Sequence, residues 1–142
     1  MWRVAYEPGT IRAISRRNGR TVLTEEVHTA GAPARIQLVA DRSAIKADGK
    51  DLSFVTVRIL DAAGNIVPNA ENRVNFSLNG EALIAGVDNG DPVSHDPFKA
   101  NYRKAFHGLA LAIIQAKQAK GTATLTATAD GLQPATVAIQ MK

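Results

Sequence analysis

The segment from Val87 to Pro97 carries the densest set of reactive side chains in this chain of 142 residues. Three carboxylates, Asp88, Asp91 and Asp96, lie within these eleven positions. Carboxylate and amide oxygens are the ligands that calcium prefers, although the spacing differs from that of an EF-hand loop. A metal site formed by the three aspartates is therefore one interpretation of the segment.

The second interpretation is a structural loop, and the composition favours it. Asp and Asn side chains accept hydrogen bonds from nearby backbone N–H groups, and prolines fix the path of a loop. Tyr102 and Phe106 are expected to help anchor the far end of the loop, while Arg103 and Lys104 offset its negative charge. The residues assigned to the structural loop are Asn89, Gly90, Asp91, Pro92, His95 and Phe98.

A hydrolytic triad can be written from Ser94, His95 and Asp91. No strand-to-helix elbow and no oxyanion site are predicted around these residues, so the residue types alone do not make a triad. His28 and His107 add no zinc-ligand spacing, and His107 is expected on a strand. We predict no catalytic residue and no cofactor.

Composition excludes further classes of protein. The chain has no cysteine, so it contains no disulfide, thiolate nucleophile or cysteine-ligated zinc. The net charge is +4, and Arg16, Arg17 and Arg20 form the only local basic cluster. Aromatic residues make up 5% and are not interleaved with basic ones, which argues against a nucleic-acid partner. No apolar run is long enough to cross a membrane, and the start lacks the apolar run of a signal peptide.

The elements that must position these residues are strands. Apolar and polar residues alternate in five segments, and alternation is the pattern of a half-buried strand. Turn signals such as Asp48-Gly49 and Asp130-Gly131 separate the segments, which indicates a β-sandwich. The apolar members are Ile36, Leu38 and Ala40; Val55, Val57 and Ile59; Val74, Phe76 and Leu78; Ala123, Leu125, Ala127 and Ala129; and Val137, Ile139 and Met141.

Two further segments need separate treatment. Leu109 to Lys120 has a helix-like composition, but its first part alternates and is predicted as a strand, followed by a polar loop over Lys117 to Lys120. Near the N-terminus, Asn18-Gly19 between two alternating runs predicts a β-hairpin. A lone hairpin is marginally stable, so residues 1–33 are expected to be the end of another β-domain, with a linker at Gly31-Ala32-Pro33.

The middle of the chain resembles a known class of bacterial domain. Residues 34–70, with the Ala47-Asp48-Gly49 turn and the segment Asp61-Ala62-Ala63-Gly64-Asn65-Ile66-Val67-Pro68, resemble the immunoglobulin-like domains of invasin and intimin. Such domains occur as repeats in adhesins and as accessory modules of enzymes. The resemblance implies an all-β, immunoglobulin-like antiparallel β-sandwich over residues 34–142.

The flanks resemble a family of enzymes. Residues 89–116, NGDPVSHDPFKANYRKAFHGLALAIIQA, are similar to the C-terminal sandwich domain of bacterial glycoside hydrolase family 2 enzymes, mostly β-galactosidases. Residues 4–38 look like the end of the small β-domain that precedes it. The resemblance implies that the sugar-binding domain and the catalytic barrel lie upstream in a longer parent enzyme, exported to the periplasm or secreted.

The resemblance also implies that this chain is not catalytic. Retaining glycosidases need two carboxyl groups roughly 5 to 5.5 Å apart, and in this family both are glutamates of the barrel. Adjacent Glu25 and Glu26 would point to opposite faces of a strand and cannot converge. Glu7, Glu71 and Glu81 likewise lie outside any segment that resembles the catalytic motifs.

The prediction is therefore a non-catalytic accessory domain whose partners are the upstream domains of its own parent chain, with a homo-oligomer interface as a further option. The alternatives are a surface-adhesin repeat and a carbohydrate-binding module. A sugar-binding module needs exposed aromatics, and Trp2 and Tyr6 are the only candidate platform, since Phe54 and Phe76 are expected in the core. Direct sugar binding is not favoured, because Trp2 and Tyr6 also suit a packed domain interface.

Overall fold

The computed structural model of the chain describes residues 5–142. All regular elements in this range are strands, and no helix within it is long and apolar enough to cross a membrane. The strands are β1 (Thr10–Arg17), β2 (Arg20–His28), β3 (Arg35–Ala40), β4 (Ala44–Ile45), β5 (Leu52–Leu60), β6 (Arg73–Gly80), β7 (Ala82–Asp88), β8 (Tyr102–Lys104), β9 (Leu109–Ala116), β10 (Gly121–Thr128) and β11 (Ala135–Met141).

Two sheets form a sandwich. One has four strands in the order β3-β5-β9-β7, and the other has five in the order β4-β11-β10-β6-β8. Every pairing within them is antiparallel except that of the short β4 with β11, which is parallel. The predicted all-β sandwich is confirmed.

The core lies between the inner faces of the sheets, as alternation predicts. Val55, Val57 and Ile59 of β5 are fully buried, and so are Leu125 and Ile139 from the opposite sheet. The remaining predicted core positions on β3, β6, β10 and β11 are buried or half-buried. Burial of apolar surface at this layer holds the two sheets together.

Strand β9 confirms the prediction for Leu109 to Ala116 and shows which face is buried. Its inner face carries Ala110, Ala112, Ile114 and Ala116, whereas Leu109, Leu111 and Ile113 lie on the outer face. Lys117 to Lys120 form the predicted loop. The inner face of β9 therefore carries three alanines and Ile114, and the aliphatic side chains of Leu109, Leu111 and Ile113 are left partly exposed.

The prediction that Phe54 is a core residue was wrong. Its side chain is 39% exposed on the outer face of the four-stranded sheet, opposite Ile113 of β9. The reason is the two-residue period of a strand: since Val55 and Val57 point inward, Phe54 must point outward. Phe76 is buried as expected.

The prediction that His107 lies on a strand was also wrong. His107 and Gly108 form the two central residues of a tight turn, with φ angles of 51° and 74°. A Cβ on Gly108 would lie 2.4 Å from the carbonyl oxygen of Val67, so only glycine fits there. Positive φ at both central residues is the geometry of a type I′ hairpin turn.

Residues 10–28 form the predicted hairpin. Asn18 and Gly19 make the turn, with φ angles of 51° and 78°, and β1 pairs with β2 along its whole length. All residues of both strands are exposed, including Ile11, Leu23 and Val27 on one face. Tyr6 is 79% exposed, and Trp2 lies outside the described residues. The hairpin therefore buries none of its own apolar face.

A chain that begins at Ala34 is expected to stay folded. Both sheets of the sandwich are built from residues 35–141, and a single core of this size is sufficient for cooperative folding. The measurement is an amide correlation spectrum together with a thermal melt of residues 34–142. Loss of the dispersed amide signals would show that the hairpin belongs to the same folding unit.

Candidate functional site

The loop that contains Asp88, Asp91 and Asp96 connects the two sheets. It leaves the four-stranded sheet at the end of β7 and enters the five-stranded sheet at β8. The N–H of Val87 donates to the carbonyl oxygen of Phe98 at 2.8 Å, and the N–H of Phe76 donates to that of Asn101 at 2.7 Å. The far end of the loop is thus held against β7 of the four-stranded sheet and β6 of the five-stranded sheet.

A buried arginine lies at the centre of this loop. Arg103 of β8 is 1% exposed. Its Nη1 donates to the backbone oxygen of Asp96 at 2.8 Å, and its Nη2 donates to Oδ1 of Asn89 at 2.9 Å and to Oδ1 of Asp88 at 3.4 Å. The guanidinium carbon lies 5.3 Å from the centre of the Phe98 ring. One cation therefore contacts both ends of the loop.

The loop side chains also bond to the loop's own backbone. Oδ1 of Asp88 accepts from the N–H groups of Asn89 at 2.7 Å and Gly90 at 3.3 Å. Oδ1 of Asn89 accepts from the N–H of Asp91 at 3.1 Å, and Oδ1 of Asp91 accepts from that of Val93 at 3.0 Å. These short-range bonds follow the Asx-turn pattern of Asp and Asn in loops.

Bonds to the side chains of Ser94 and Asn89 complete the network. Oγ of Ser94 accepts from the N–H of Asp96 at 3.3 Å, and Nδ2 of Asn89 donates to the carbonyl oxygen of Lys104 at 2.9 Å. The Asn89 amide thus bonds on both sides, to Arg103 and to the strand that carries it. Pro92 and His95 are exposed, and Phe98 is 62% exposed with its ring near Arg103 rather than in the core.

Basic side chains of β8 offset the negative charges of the loop. Asp88 faces the Arg103 guanidinium. Nζ of Lys104 lies 2.6 Å from Oε2 of Glu71, and this hydrogen bond raises the pKa of Lys104, with smaller contributions from the negative charges of Glu71, Asp91 and Asp96. Lys104 therefore pairs with Glu71 first and offsets the loop aspartates only at longer range.

The structure does not gather the three aspartates into a metal cage. Among residues 5–142, no group of three or more His, Asp or Glu side chains is arranged to hold a metal ion. Oxygens of Asp88 and Asp91 already accept backbone N–H groups, and Asp88 also faces a guanidinium. The arrangement suits internal hydrogen bonding rather than ligation of a cation.

Two surface cavities flank the loop. The first, about 220 Å³, is lined by Thr56, Leu109 and Leu111 of the sheet and by Asp88, Asn89 and Gly90 of the loop. The second, about 700 Å³, lies along β7 and is lined by Leu83, Ala85, Lys99, Asn101 and Gln115, among others. None of the aromatic side chains of residues 5–142 lines either cavity, so these residues offer no stacking surface for a sugar ring there.

The remaining sequence candidates lie apart from one another. Glu26 forms an ion pair with Arg12 on one face of the hairpin, whereas Glu25 lies opposite Ala13 on the other face. Nδ1 of His28 lies 2.8 Å from Oγ1 of Thr10 on the same hairpin. Within the described residues, no hydrogen bond joins Ser94 to His95, so the residues of the written triad do not form one.

Sequence reasoning did not identify Arg103 as the centre of the loop, although it expected Arg103 to offset charge. An arginine between Tyr102 and Lys104 has the composition of an exposed edge strand. The strand register explains the burial of Arg103, because it pairs with the fully buried Val74 and the two side chains share the inner face.

The fold and this loop define a class of protein: an immunoglobulin-like β-sandwich whose two sheets are joined by a self-bonded loop. The sequence model of one family, glycoside hydrolase family 2 C-terminal domain 5, matches residues 36–138. The chain belongs to this family.

Relatives of the chain are much longer enzymes. It is 53% identical to the β-galactosidase BoGH2A of Bacteroides ovatus over 97% of this chain and 16% of that protein. It is 27% identical to a β-glucuronidase of Formosa agariphila over 96% of this chain and 14% of that protein. The chain therefore spans 11–16% of the length of the curated relatives it matches.

Among solved structures, too, the chain matches a small part of a longer protein. A glycosyl hydrolase family 2 member from Bacteroides cellulosilyticus superposes with a TM-score of 0.94 at 38% identity, covering 99% of this chain and 18% of that one. A fragment of intimin superposes with a TM-score of 0.53 at 14% identity, covering 76% of this chain and 33% of that one. The intimin likeness shows the fold alone.

Replacing Arg103 with methionine is expected to lower the free energy of unfolding by roughly 2–4 kcal/mol. The change leaves a backbone carbonyl and two side-chain oxygens without their buried donor. Urea unfolding of Arg103→Met measures the loss. The neighbouring Lys104→Met, which removes only an exposed pair with Glu71, is the matched control and should be close to the parent chain. Equal stability of Arg103→Met and the unaltered chain would contradict this role.

Calcium is expected to leave the melting temperature unchanged to within about a degree. A bound ion at about 100 times its dissociation constant would stabilise the chain by roughly 2.7 kcal/mol, which corresponds to several degrees. The measurement is a thermal melt in excess calcium and in chelator, repeated with Asp91→Asn. A shift of several degrees that disappears in the variant would make Asp88, Asp91 and Asp96 a metal site.

Proposed function

We propose that this chain serves as a non-catalytic accessory domain of a larger family 2 glycoside hydrolase, and that the parent enzyme cleaves β-galactosides. The observation that carries the proposal is the 53% identity to a β-galactosidase over nearly the whole chain but only 16% of that enzyme. The family match over residues 36–138 supports the accessory role. Export to the periplasm or beyond belongs to the same proposal and rests on the family resemblance alone.

The hairpin supports a docking role within such a parent. All residues of its two strands are exposed, and one face carries the cross-strand pair Ile11 and Val27 together with Leu23 further along β2. A two-stranded sheet with an uncovered apolar face is marginal on its own and is stabilised by packing against another element. In the proposal, residues 1–33 complete the preceding β-domain and the sandwich begins at residue 34.

The Asp88–Phe98 loop has a structural role in the proposal. Its polar groups bond to each other and to Arg103, so the segment forms a rigid connection between the sheets. A rigid loop at one end of a sandwich can present a fixed surface to a neighbouring domain. This role uses no metal, no nucleophile and no general base.

A β-glucuronidase parent is the second candidate, because a relative with that activity matches 96% of this chain. The lower identity, 27% against 53%, makes it the weaker of the two. An adhesin repeat shares only the fold at 14% identity. A carbohydrate-binding module lacks support from the described residues, because none of their aromatic side chains lines either of the two cavities.

The purified chain is expected to show no turnover of aryl β-galactosides above background, because no carboxylate pair converges on a cleft among the described residues. Product release is followed spectroscopically over a long incubation with concentrated protein. Turnover that survives repurification and is lost in Glu25→Gln or Glu26→Gln would contradict the accessory role. The substrate of the parent is read from the full-length enzyme, by its relative rates on aryl β-galactosides and β-glucuronides.

A further inference from the structure

A buried carboxylate lies where the hairpin joins the sandwich. Asp61 directly follows β5 and is 4% exposed. Its Oδ2 accepts from the N–H of Gly31 at 2.8 Å and from Nδ2 of Asn65 at 3.0 Å, and its Oδ1 accepts from the N–H of Asn65 at 2.8 Å. The Gly31 N–H, followed by the Asn65 amide, lowers the pKa of Asp61 to about 2. Asp61 is therefore ionised at neutral pH and bonded to three donors.

The contact to Gly31 differs from the others in range. The bonds to Asn65 close a local turn, which backbone bonds between Asp61 and Asn65 at 2.9 Å and between Gly64 and Asp61 at 3.2 Å also support. The bond to Gly31 joins residues 30 positions apart. The local turn does not require this bond, which instead connects Gly31 of the linker to the end of β5.

The segment around Gly31 is held on both sides. On the hairpin side, the N–H of Thr29 donates to the carbonyl oxygen of Gly9 at 2.8 Å. On the sandwich side, the N–H of Ala34 donates to the carbonyl oxygen of Leu60 at 2.8 Å, and the Ala34 oxygen accepts from Gln133 at 2.9 Å. Ala30 packs against the core. Gly31-Ala32-Pro33, which has the composition of a flexible linker, is thus tied to the fold at each end.

What Gly31 supplies is its N–H group rather than space. A Cβ added there would lie 3.7 Å from Oδ2 of Asp61, an ordinary contact distance, and its φ is not in the left-handed region. Alanine could therefore occupy this position and keep the hydrogen bond, whereas proline could not, because proline has no N–H.

We propose that Asp61 is a positioning residue that fixes the orientation of the hairpin relative to the sandwich through its hydrogen bond to the Gly31 N–H. Whatever packs on the hairpin is then held at a defined angle to the sandwich. The proposal concerns contacts within this chain and is independent of the parent enzyme's activity.

The test measures the distance between one label on each body. Because the chain has no cysteine, Thr21→Cys on the hairpin and Thr124→Cys on the outer face of β10 accept spin labels at these two sites alone. Pulsed electron resonance gives the distribution of distances between them. The expected distribution is narrow in the labelled chain and at least about twofold wider after Asp61→Ala, because the linker then samples more conformations.

Two variants serve as matched controls. Gly31→Ala keeps the N–H and should leave the distribution narrow. Asp51→Ala removes a carboxylate that accepts from the backbone N–H groups of Lys46 and Leu52, far from the linker. This substitution should also leave the distance distribution narrow. Each variant is first checked for a folded sandwich by its amide spectrum.

Three outcomes overturn the proposal. These are an unchanged width in a folded Asp61→Ala chain, an equal broadening in Asp51→Ala, and a broad distribution in the unsubstituted labelled chain. If Asp61→Ala fails to fold, Gly31→Pro decides by the same criterion, since it removes the donor and leaves the Asp61–Asn65 turn in place. None of these outcomes bears on the accessory role, which the activity measurement tests separately.

Discussion

Burial of aliphatic side chains between two sheets is the constraint on which the other features of this protein depend. Val55, Val57 and Ile59 meet the opposite sheet at zero exposure, so β5 has no freedom to shift by one residue without turning its apolar side chains to solvent. That fixed register places Asp61 at the end of β5, beside the linker. It also places Phe54 outside, since neighbouring residues on a strand point to opposite faces.

Hydrogen bonds to the loop explain why an arginine can be buried at the edge of this core. Taking a guanidinium out of water is costly unless its donors are bonded. Arg103 meets this condition at Nη1 and Nη2 through loop oxygens, while its Nε has no hydrogen-bond partner among residues 5–142. The loop is thus organised by the donors of one side chain, and the matching acceptors are Oδ1 of Asn89, Oδ1 of Asp88 and the backbone oxygen of Asp96. Pairing with Arg103 accounts for the carboxylate of Asp88, whereas that of Asp91 accepts the backbone N–H of Val93.

The sequence allowed much of the fold to be predicted, for identifiable reasons. Alternation is a direct consequence of strand geometry, and it located the five inner segments and the strand at Leu109–Ala116. The Asn18-Gly19 pair located the hairpin because few residues tolerate positive φ. Phe54 was misplaced because its aromatic character was given more weight than the strand register. His107 was misplaced because the turn depends on Gly108, and the close approach of the Val67 carbonyl oxygen that excludes a Cβ there is visible only in the folded structure.

The candidate site was less predictable. The composition of residues 87–97 marked the loop, but the pairing of each oxygen with a particular N–H or with Arg103 depends on β8 lying beside β6. The hydrogen bond from the Gly31 N–H to Asp61 was not predicted, because no local sequence pattern links residues 30 positions apart. Long-range polar contacts of this kind carry no periodic signal.

The order of strands in the sheets determines when this domain can form. β9 lies between β5 and β7, and β10 lies between β6 and β11, so each sheet is completed only by strands from the last third of the chain. During synthesis the hairpin, whose partners are adjacent in sequence, can close early, whereas β3, β5, β6 and β7 must wait with apolar faces uncovered until residues 109–141 have emerged. The sandwich is thus completed only after the late strands are available, and its early strands are open to premature association until then.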